Sequence, residues 1–266
     1  MKERKIMLGL GLLMLPPWLL PLAMAASFRV DCDAGATIAG VLTVLKPGDS
    51  ALVTGACKGN LLIPEEVQKI TLDGQGKATI QGQETAKDTI LIQGRGITIK
   101  GFTITGGRDG IMVVGGGTAV IDGNAIQNTG RFGVYVTQHS SARIINNTIQ
   151  TSAQFGISIS GNSFAYIGLL GFLDLTDKVA SPNTIRSNGR AGVHVHRTSY
   201  ARIAGNTISN NKLHGIEVTG VSHAQIGSNT ISANGADGIL VSQNSGVDLG
   251  SDTRSEERRV GKECRL

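Results

Sequence analysis

Four residues bring acid–base and metal-ligating chemistry into one short stretch of the chain: His194, His196, His214 and Glu217. Glu217 follows His194 at a 23-residue interval, and His196 lies two past His194. If positions one such interval apart fall on neighbouring strands, an imidazole sits beside a carboxylate. A second imidazole then lies about 6.6 Å along the same strand, and His214 falls at the next corner. Imidazoles with a carboxylate can bind a transition metal or supply an acid and a base. The same residues also read as an exposed ion pair on a solvated sheet with two unrelated histidines. No metal is assigned to them.

A second constellation is Arg143, Tyr166 and Arg202, with Phe164 and Tyr200 slightly earlier in their own segments. Guanidinium groups beside aromatic rings can stack on sugars and hold the carboxylates of a uronic acid polymer. Stacked aromatics equally stabilise neighbouring strands without any ligand. These five are the candidate ligand-binding residues.

Both sets depend on a repeat. Ile121, Ile144 and Ile167 recur at 23-residue spacing, as do Ile203, Ile226 and Leu249. The interval from Ile167 to Ile203 is one period plus a 13-residue insertion at 169–181. Aligned on these positions, Asn124, Asn147, Asn183, Asn206 and Asn229 form one column, with isoleucine two positions on in every case. A glycine column (Gly110, Gly133, Gly156, Gly192, Gly215, Gly238) precedes paired apolar residues such as Val134 and Val136. Ser140, Ser163, Ser199, Ser222 and Ser245 open a third short segment. Apolar, mostly β-branched residues at spacing two predict strands with one buried face. Glycine before a strand suits a corner that needs positive φ or a close backbone approach. Three such strands cannot bury a face alone, but stacked coils share a continuous core. Stacked asparagine amides can then hydrogen-bond up and down a buried corner.

The N-x-I, G-I/V-x-V/I and S-x-A pattern from about Ile99 to Gly250 resembles the right-handed parallel β-helix repeat of the pectate-lyase-like superfamily. The resemblance implies an all-β fold, a single-stranded solenoid of 23-residue coils. Thr37 to Leu45, followed by Lys46-Pro47-Gly48-Asp49, resembles the short capping helix and turn that open such proteins. Polysaccharide lyases, hydrolases, epimerases, adhesins and copper-site maturation proteins all use the fold, so it chooses no activity. A lyase is expected to gather carboxylates for calcium beside a basic residue, and a hydrolase to pair two carboxylates. Neither set is expected in adjacent coils here, since Glu217, Asp237 and Asp248 fall in different columns. Met112 is the only methionine after position 25, which argues against copper delivery. No cofactor is called for.

The ends bound the rest. Residues 1–25 combine Lys2, Arg4 and Lys5, an apolar run, and Ala23-Met24-Ala25, the signature of a cleaved secretory signal. Prolines within the run disfavour a stable membrane span. Export to the periplasm or outside makes a Cys32–Cys57 disulfide the expected staple of the N-terminal region, the other reading being two buried thiols. Residues 26–95 read as cap and irregular first coils, and 96–253 as regular repeats with the insertion. Phe172, Asp174, Asp177 and Lys178 in that insertion suit a binding rim, while its leucines suit a packing flap. Residues 254–266, with Cys264, break the pattern and read as a non-native or disordered tail. Signal and tail each contribute +2 to the formal charge of +5, leaving +1 for the body. The basic balance therefore gives no reason to expect nucleic acid. With intact repeats, no assembled acid–base cluster and aromatics at 4%, the sequence reads as an exported, non-catalytic surface for envelope or environmental glycans. The alternative is a lyase or epimerase acting on uronic-acid-containing polymers.

Overall fold

The computed structural model describes residues 25–168 and 180–250. Outside the described residues lie 1–24, 169–179 and 251–266, which take in the signal reading at 1–25 except Ala25, the insertion at 169–181 except its last two residues, and the whole tail at 254–266. Parallel strands stack into a three-faced solenoid. The first face comprises Ser27–Asp31, Ser50–Thr54, Thr118–Asp122, Ser141–Ile145, Phe164–Ile167, Tyr200–Ala204, His223–Gly227 and Gly246–Leu249. The second comprises Ala56–Lys58, Ala125–Gln127, Thr148–Gln150, Thr184–Arg186, Thr207–Ser209 and Thr230–Ser232. In two early coils the long strands Thr71–Gly82 and Ile97–Gly106 run around the corner and join these two faces into one sheet. The third face is a separate eight-stranded sheet of Leu61–Ile63, Ile90–Ile92, Ile111–Val113, Val134–Val136, Ile157–Ile159, Val193–Val195, Ile216–Val218 and Ile239–Val241.

Neighbouring strands are parallel, and the registers match like residues: Ile126 with Ile149, Ile149 with Ile185, Ile185 with Ile208 and Ile208 with Ile231. The core is consequently a set of isoleucine and valine columns, almost all with no exposure. It runs unbroken from Val30 to Ile239. Stacking solves what a lone coil cannot, because each coil buries the apolar edge of the one before.

Each corner needs a left-handed residue. Gly123, Asn146, Gly205 and Ser228 supply it between the first and second faces, and Asn128, Thr151, Ser187, Asn210 and Ala233 between the second and third. The glycine column before the third face has a different cause. A Cβ at Gly133 would lie 2.5 Å from Ile149 Cγ2 and 2.6 Å from the Gly156 carbonyl oxygen, so close approach, rather than positive φ, excludes a side chain there.

The asparagine column behaves as its position predicts. Asn183 accepts at Oδ1 from Asn147 N and Nδ2, and itself donates from N and Nδ2 to Asn206 Oδ1, at 2.9–3.0 Å. Asn206 repeats this with Asn229. Nδ2 also reaches a carbonyl of the coil before, such as Ile167 O from Asn206. Serines form a ladder of their own, with Ser163 N donating to Ser199 Oγ and Ser199 N to Ser222 Oγ. A second asparagine ladder, Asn188, Asn211 and Asn234, runs up the next corner. Sequence reading passes over it because serine and threonine hold its first rungs.

At the start of the chain a helix spans Ile38–Leu42, with Thr37 accepting from Gly40 N. Cys32 and Cys57 are joined in a disulfide. Asp49 receives the Lys46 and Ala26 backbone N–H groups, which hold its carboxyl below the usual range. Among the described residues no helix is long and apolar enough to cross a membrane.

Candidate functional site

The third face presents its outward side chains as a column: Tyr135, Ser158, His194, Glu217 and Leu240, paired strand to strand. The corner ahead of it adds a second column just before each strand, in which Asp88, Asp109, Phe132, Phe155, Ala191, His214 and Asp237 stack. Arginines stand just before three of these, at 108, 131 and 190. This corner column was readable beside the glycines, but its residues differ from coil to coil, and only identical columns draw the eye.

The corner is built from interlocked ion pairs and rings. Arg108 forks onto Asp88, both contacts at 3.0 Å. Arg131 forks onto Asp109, with Nε to Oδ1 at 2.9 Å and a second contact from Nη2 to Oδ2. Asp109 is fully buried; burial raises its pKa against the opposing pull of the Arg131 bond. The Arg131 guanidinium also lies 4.3 Å above the Phe132 ring and 5.1 Å above Tyr135. Arg190 sits 4.9 Å above Phe155 and has no carboxylate partner among the described residues. Phe155 lies 4.3 Å from the His194 ring, which stacks at 4.1 Å on His196.

Adjacent carboxylates therefore do exist, contrary to the sequence expectation. Asp88 and Asp109 occupy neighbouring coils because Ile90 pairs with Ile111, an interval two short of the usual period, so alignment on a strict period separates them. Each is committed to an arginine, so neither is a free acid or base.

His194 is not the solvated, exposed residue of the simplest sequence reading. It is 8% exposed, with Nε2 at 3.1 Å from Thr219 Oγ1 and at 3.8 Å from Glu217 Oε1. Burial, with the nearby charges of His196 and Arg190, lowers its pKa to about 3. Burial and Arg197 bring His196 to about 4. Both are neutral at neutral pH, and the His194–Glu217 contact is no salt bridge there. Burial raises the Glu217 pKa, partly offset by His214 and Arg190. His214 faces Asp237 instead, with Nδ1 3.3 Å from Oδ2. The structure thus brings His194, His196 and Glu217 together and turns His214 to another partner. Among the described residues no three His, Cys, Asp or Glu side chains gather where an ion could sit.

Three buried polar atoms of this face have no hydrogen-bond partner: Ser158 Oγ, His194 Nδ1 and Glu217 Oε2. They belong to consecutive rungs of one column. Leaving such a group unpaired costs about 1–3 kcal/mol. The unpaired hydroxyls of Ser140 and Ser152 differ, because they stand at the head of inward ladders that continue in the coils after them, and that of Thr129 lies one coil before Ser152 in the same inward column.

The other sequence candidates stand on the first face. Arg143, Tyr166 and Arg202 are in register, with Tyr166 40% exposed. Phe164 stacks on Tyr200 at 5.5 Å with the rings nearly parallel, and Tyr200 on His223 at 5.9 Å. Their ring faces are turned to one another, which leaves mainly edges for a ligand.

Known proteins share this architecture. The family model described as right handed beta helix region matches residues 66–168 and 175–261. No curated protein matches the chain. Among solved structures, the periplasmic alginate epimerase AlgG superposes with a TM-score of 0.60 at 15% identity, over 84% of this chain and 55% of its own. Pectate lyase Pel9A gives 0.50 at 10% identity, over 88% and 80%. This chain thus spans little more than half the length of AlgG, and at such identities the likeness is one of fold.

Proposed function

The chain belongs to the right-handed β-helix family, and from that premise we propose that it is an exported β-helix that binds polysaccharide on the outer surface of its third face. The observation that carries this reading is one buried polar atom without a partner on each of Ser158, His194 and Glu217, successive rungs of an outward column. Inward polar columns in this solenoid are paired along most of their length, so a gap in an outward one points to a partner outside the chain. Phe132, Phe155, Arg131 and Arg190 make the backing that holds the column in place. Solved structures that share the fold include an alginate epimerase and a pectate lyase, by their names enzymes of polysaccharides. The disulfide is compatible with an oxidising compartment. In this reading residues 26–95, with the helix Ile38–Leu42, close the N-terminal end and 96–253 present the binding surface. The first-face set of Arg143, Phe164, Tyr166, Tyr200 and Arg202 is a secondary surface, since its rings face each other.

A second reading is favoured by one specific observation: a carboxyl with a raised pKa beside two neutral imidazoles. Glu217 would exchange a proton with the sugar and Arg190 would neutralise a uronate, as a lyase or epimerase requires. The test is a panel of soluble polysaccharides assayed for retention by the immobilised chain and for unsaturated or epimerised products. Retention without turnover supports the binding surface. Turnover abolished by Glu217→Gln establishes the second reading, and neither retention nor turnover sinks both.

A further inference from the structure

We propose that the sugar held over Ser158, His194 and Glu217 is uncharged and bound through its hydroxyls, so that neutral glycans, rather than polyuronates, are the ligands of the third face. This rests on the polysaccharide-binding reading above and names the class of sugar. The unpaired atoms themselves limit the choice. In its carboxylate form Glu217 Oε2 only accepts, so its missing partner is then a donor. His194 places Nε2 against Thr219 Oγ1, leaving Nδ1 to make one bond as donor or acceptor. The Ser158 hydroxyl does either. A sugar carboxylate offers no donor to Glu217 and adds a like charge beside it. A sugar hydroxyl satisfies all three positions, since it both donates and accepts.

The charges around the column point the same way. Two arginines that would otherwise mark an anion site are already committed: Arg108 to Asp88 and Arg131 to Asp109, each through two contacts. Both nearby imidazoles carry no charge at neutral pH, because burial suppresses their protonation. Arg190 makes no ion pair among the described residues but stands near enough to Glu217 to favour its carboxylate form, and Arg197 stands near His196. Asp237 lies against His214. Among the described residues, Arg190 and Arg197 are thus the cations near the column that hold no ion pair, and the Glu217 carboxylate offsets one of the two, which leaves little net positive charge to draw in a polyanion.

The spacing also suits an extended chain. Successive rungs stand about 4.8 Å apart, so the column meets hydroxyls in series along the solenoid axis. The three atoms are shielded from solvent in the free chain. A ligand reaches them only by displacing a covering side chain, and the exposed Arg190, resting on Phe155 beside His194, stands at the edge of the column.

Calorimetric titration of the full chain decides the point. The probes are hexasaccharides of glucose, mannose and galactose, set against matched hexasaccharides of mannuronate, guluronate and galacturonate, each at low and moderate salt. The expected result is binding of at least one neutral series, insensitive to salt, weakened about tenfold or more by Glu217→Gln and by Ser158→Ala, with uronates about tenfold weaker or silent. Thermal melts of both variants exclude unfolding as the cause. Tighter binding of a uronate, strengthened by Glu217→Gln and lost with salt, overturns the neutral-sugar assignment while leaving the polysaccharide reading intact. Neutral binding that neither variant weakens also overturns it, by removing the ligand from this column. If neither series binds, the polysaccharide reading falls with it.

Discussion

The asparagine ladder and the third-face column climb the same solenoid in the same register, and they treat polar groups in opposite ways. In the ladder every rung repeats one side chain, and each amide accepts from the coil before it and donates to the coil after it. In the column each rung carries a different side chain, and three successive rungs hold an atom with no partner. Repetition lets a polar column satisfy itself; variety leaves it open. A solenoid therefore separates two kinds of column: uniform ones offset their own burial, and the irregular outward one leaves polar atoms open, which is where the proposed ligand would bind.

The largest effect expected from this contrast is on the uniform side. Asn206→Leu removes the acceptor for Asn183 N and Nδ2 and the donor to Ile167 O and Ala204 O. At roughly 1–3 kcal/mol per stranded group, part offset by the added apolar surface, the loss should be about 4 kcal/mol in denaturant unfolding. Ser158→Ala is the mirror experiment. It deletes a buried hydroxyl that bonds nothing, so stability should be unchanged or rise by up to about 1 kcal/mol. Equal losses from the two substitutions would break the comparison, because the Ser158 hydroxyl would then have a partner in the fold.

A smaller effect concerns protons. His194 has its folded pKa lowered to about 3 against about 6.5 when unfolded. Between those values the unfolded chain binds the proton and the native chain does not. Its contribution is full above pH 6.5 and is lost as pH falls toward 3. Glu217 works in the reverse sense: its raised pKa means the native chain holds the proton longer, so acidification through its window favours the fold. His194→Phe keeps a ring against Phe155 and abolishes the first of these effects. The variant should lose on the order of 2 kcal/mol less than the parent between pH 6.5 and pH 4, measured by unfolding at each pH. Parallel pH profiles for the two proteins would mean that His194 is open to water.

What the sequence disclosed followed the same division. The isoleucine, asparagine and serine columns were legible because stacking selects the same residue one period on, and the register observed is the one the period predicts. The His194–Glu217 neighbourhood was legible for the same arithmetic reason. Its burial was not, since Phe155 and Ala191 come from a corner whose identity changes with each coil. Asp88 and Asp109 were missed because an early coil falls short of the period. Arg131, which joins Asp109 to two aromatic rings, had no repeat to announce it. Periodicity reports the parts of a solenoid that are alike, and the parts able to recognise a ligand are the ones that differ.

The smallest predicted effect tests whether adjacent residues of the ladder coil can be told apart. Thr207 follows Asn206 directly, yet the alternation of the strand turns it outward: it is exposed, in register with Thr184 and Thr230, while Asn206 is 1% exposed. Its backbone N–H, bonded to Asn183 O at 2.9 Å, is kept in any substitution other than proline. Thr207→Ser removes one exposed methyl group and a little β propensity, so unfolding free energy should move by no more than about 0.5 kcal/mol. The measurement is a denaturant melt run beside Asn206→Leu. A loss at position 207 that rivals the one at 206 would mean that the strand is rotated, with threonine inside and asparagine outside, and the division between satisfied and open columns would have to be redrawn for that whole corner.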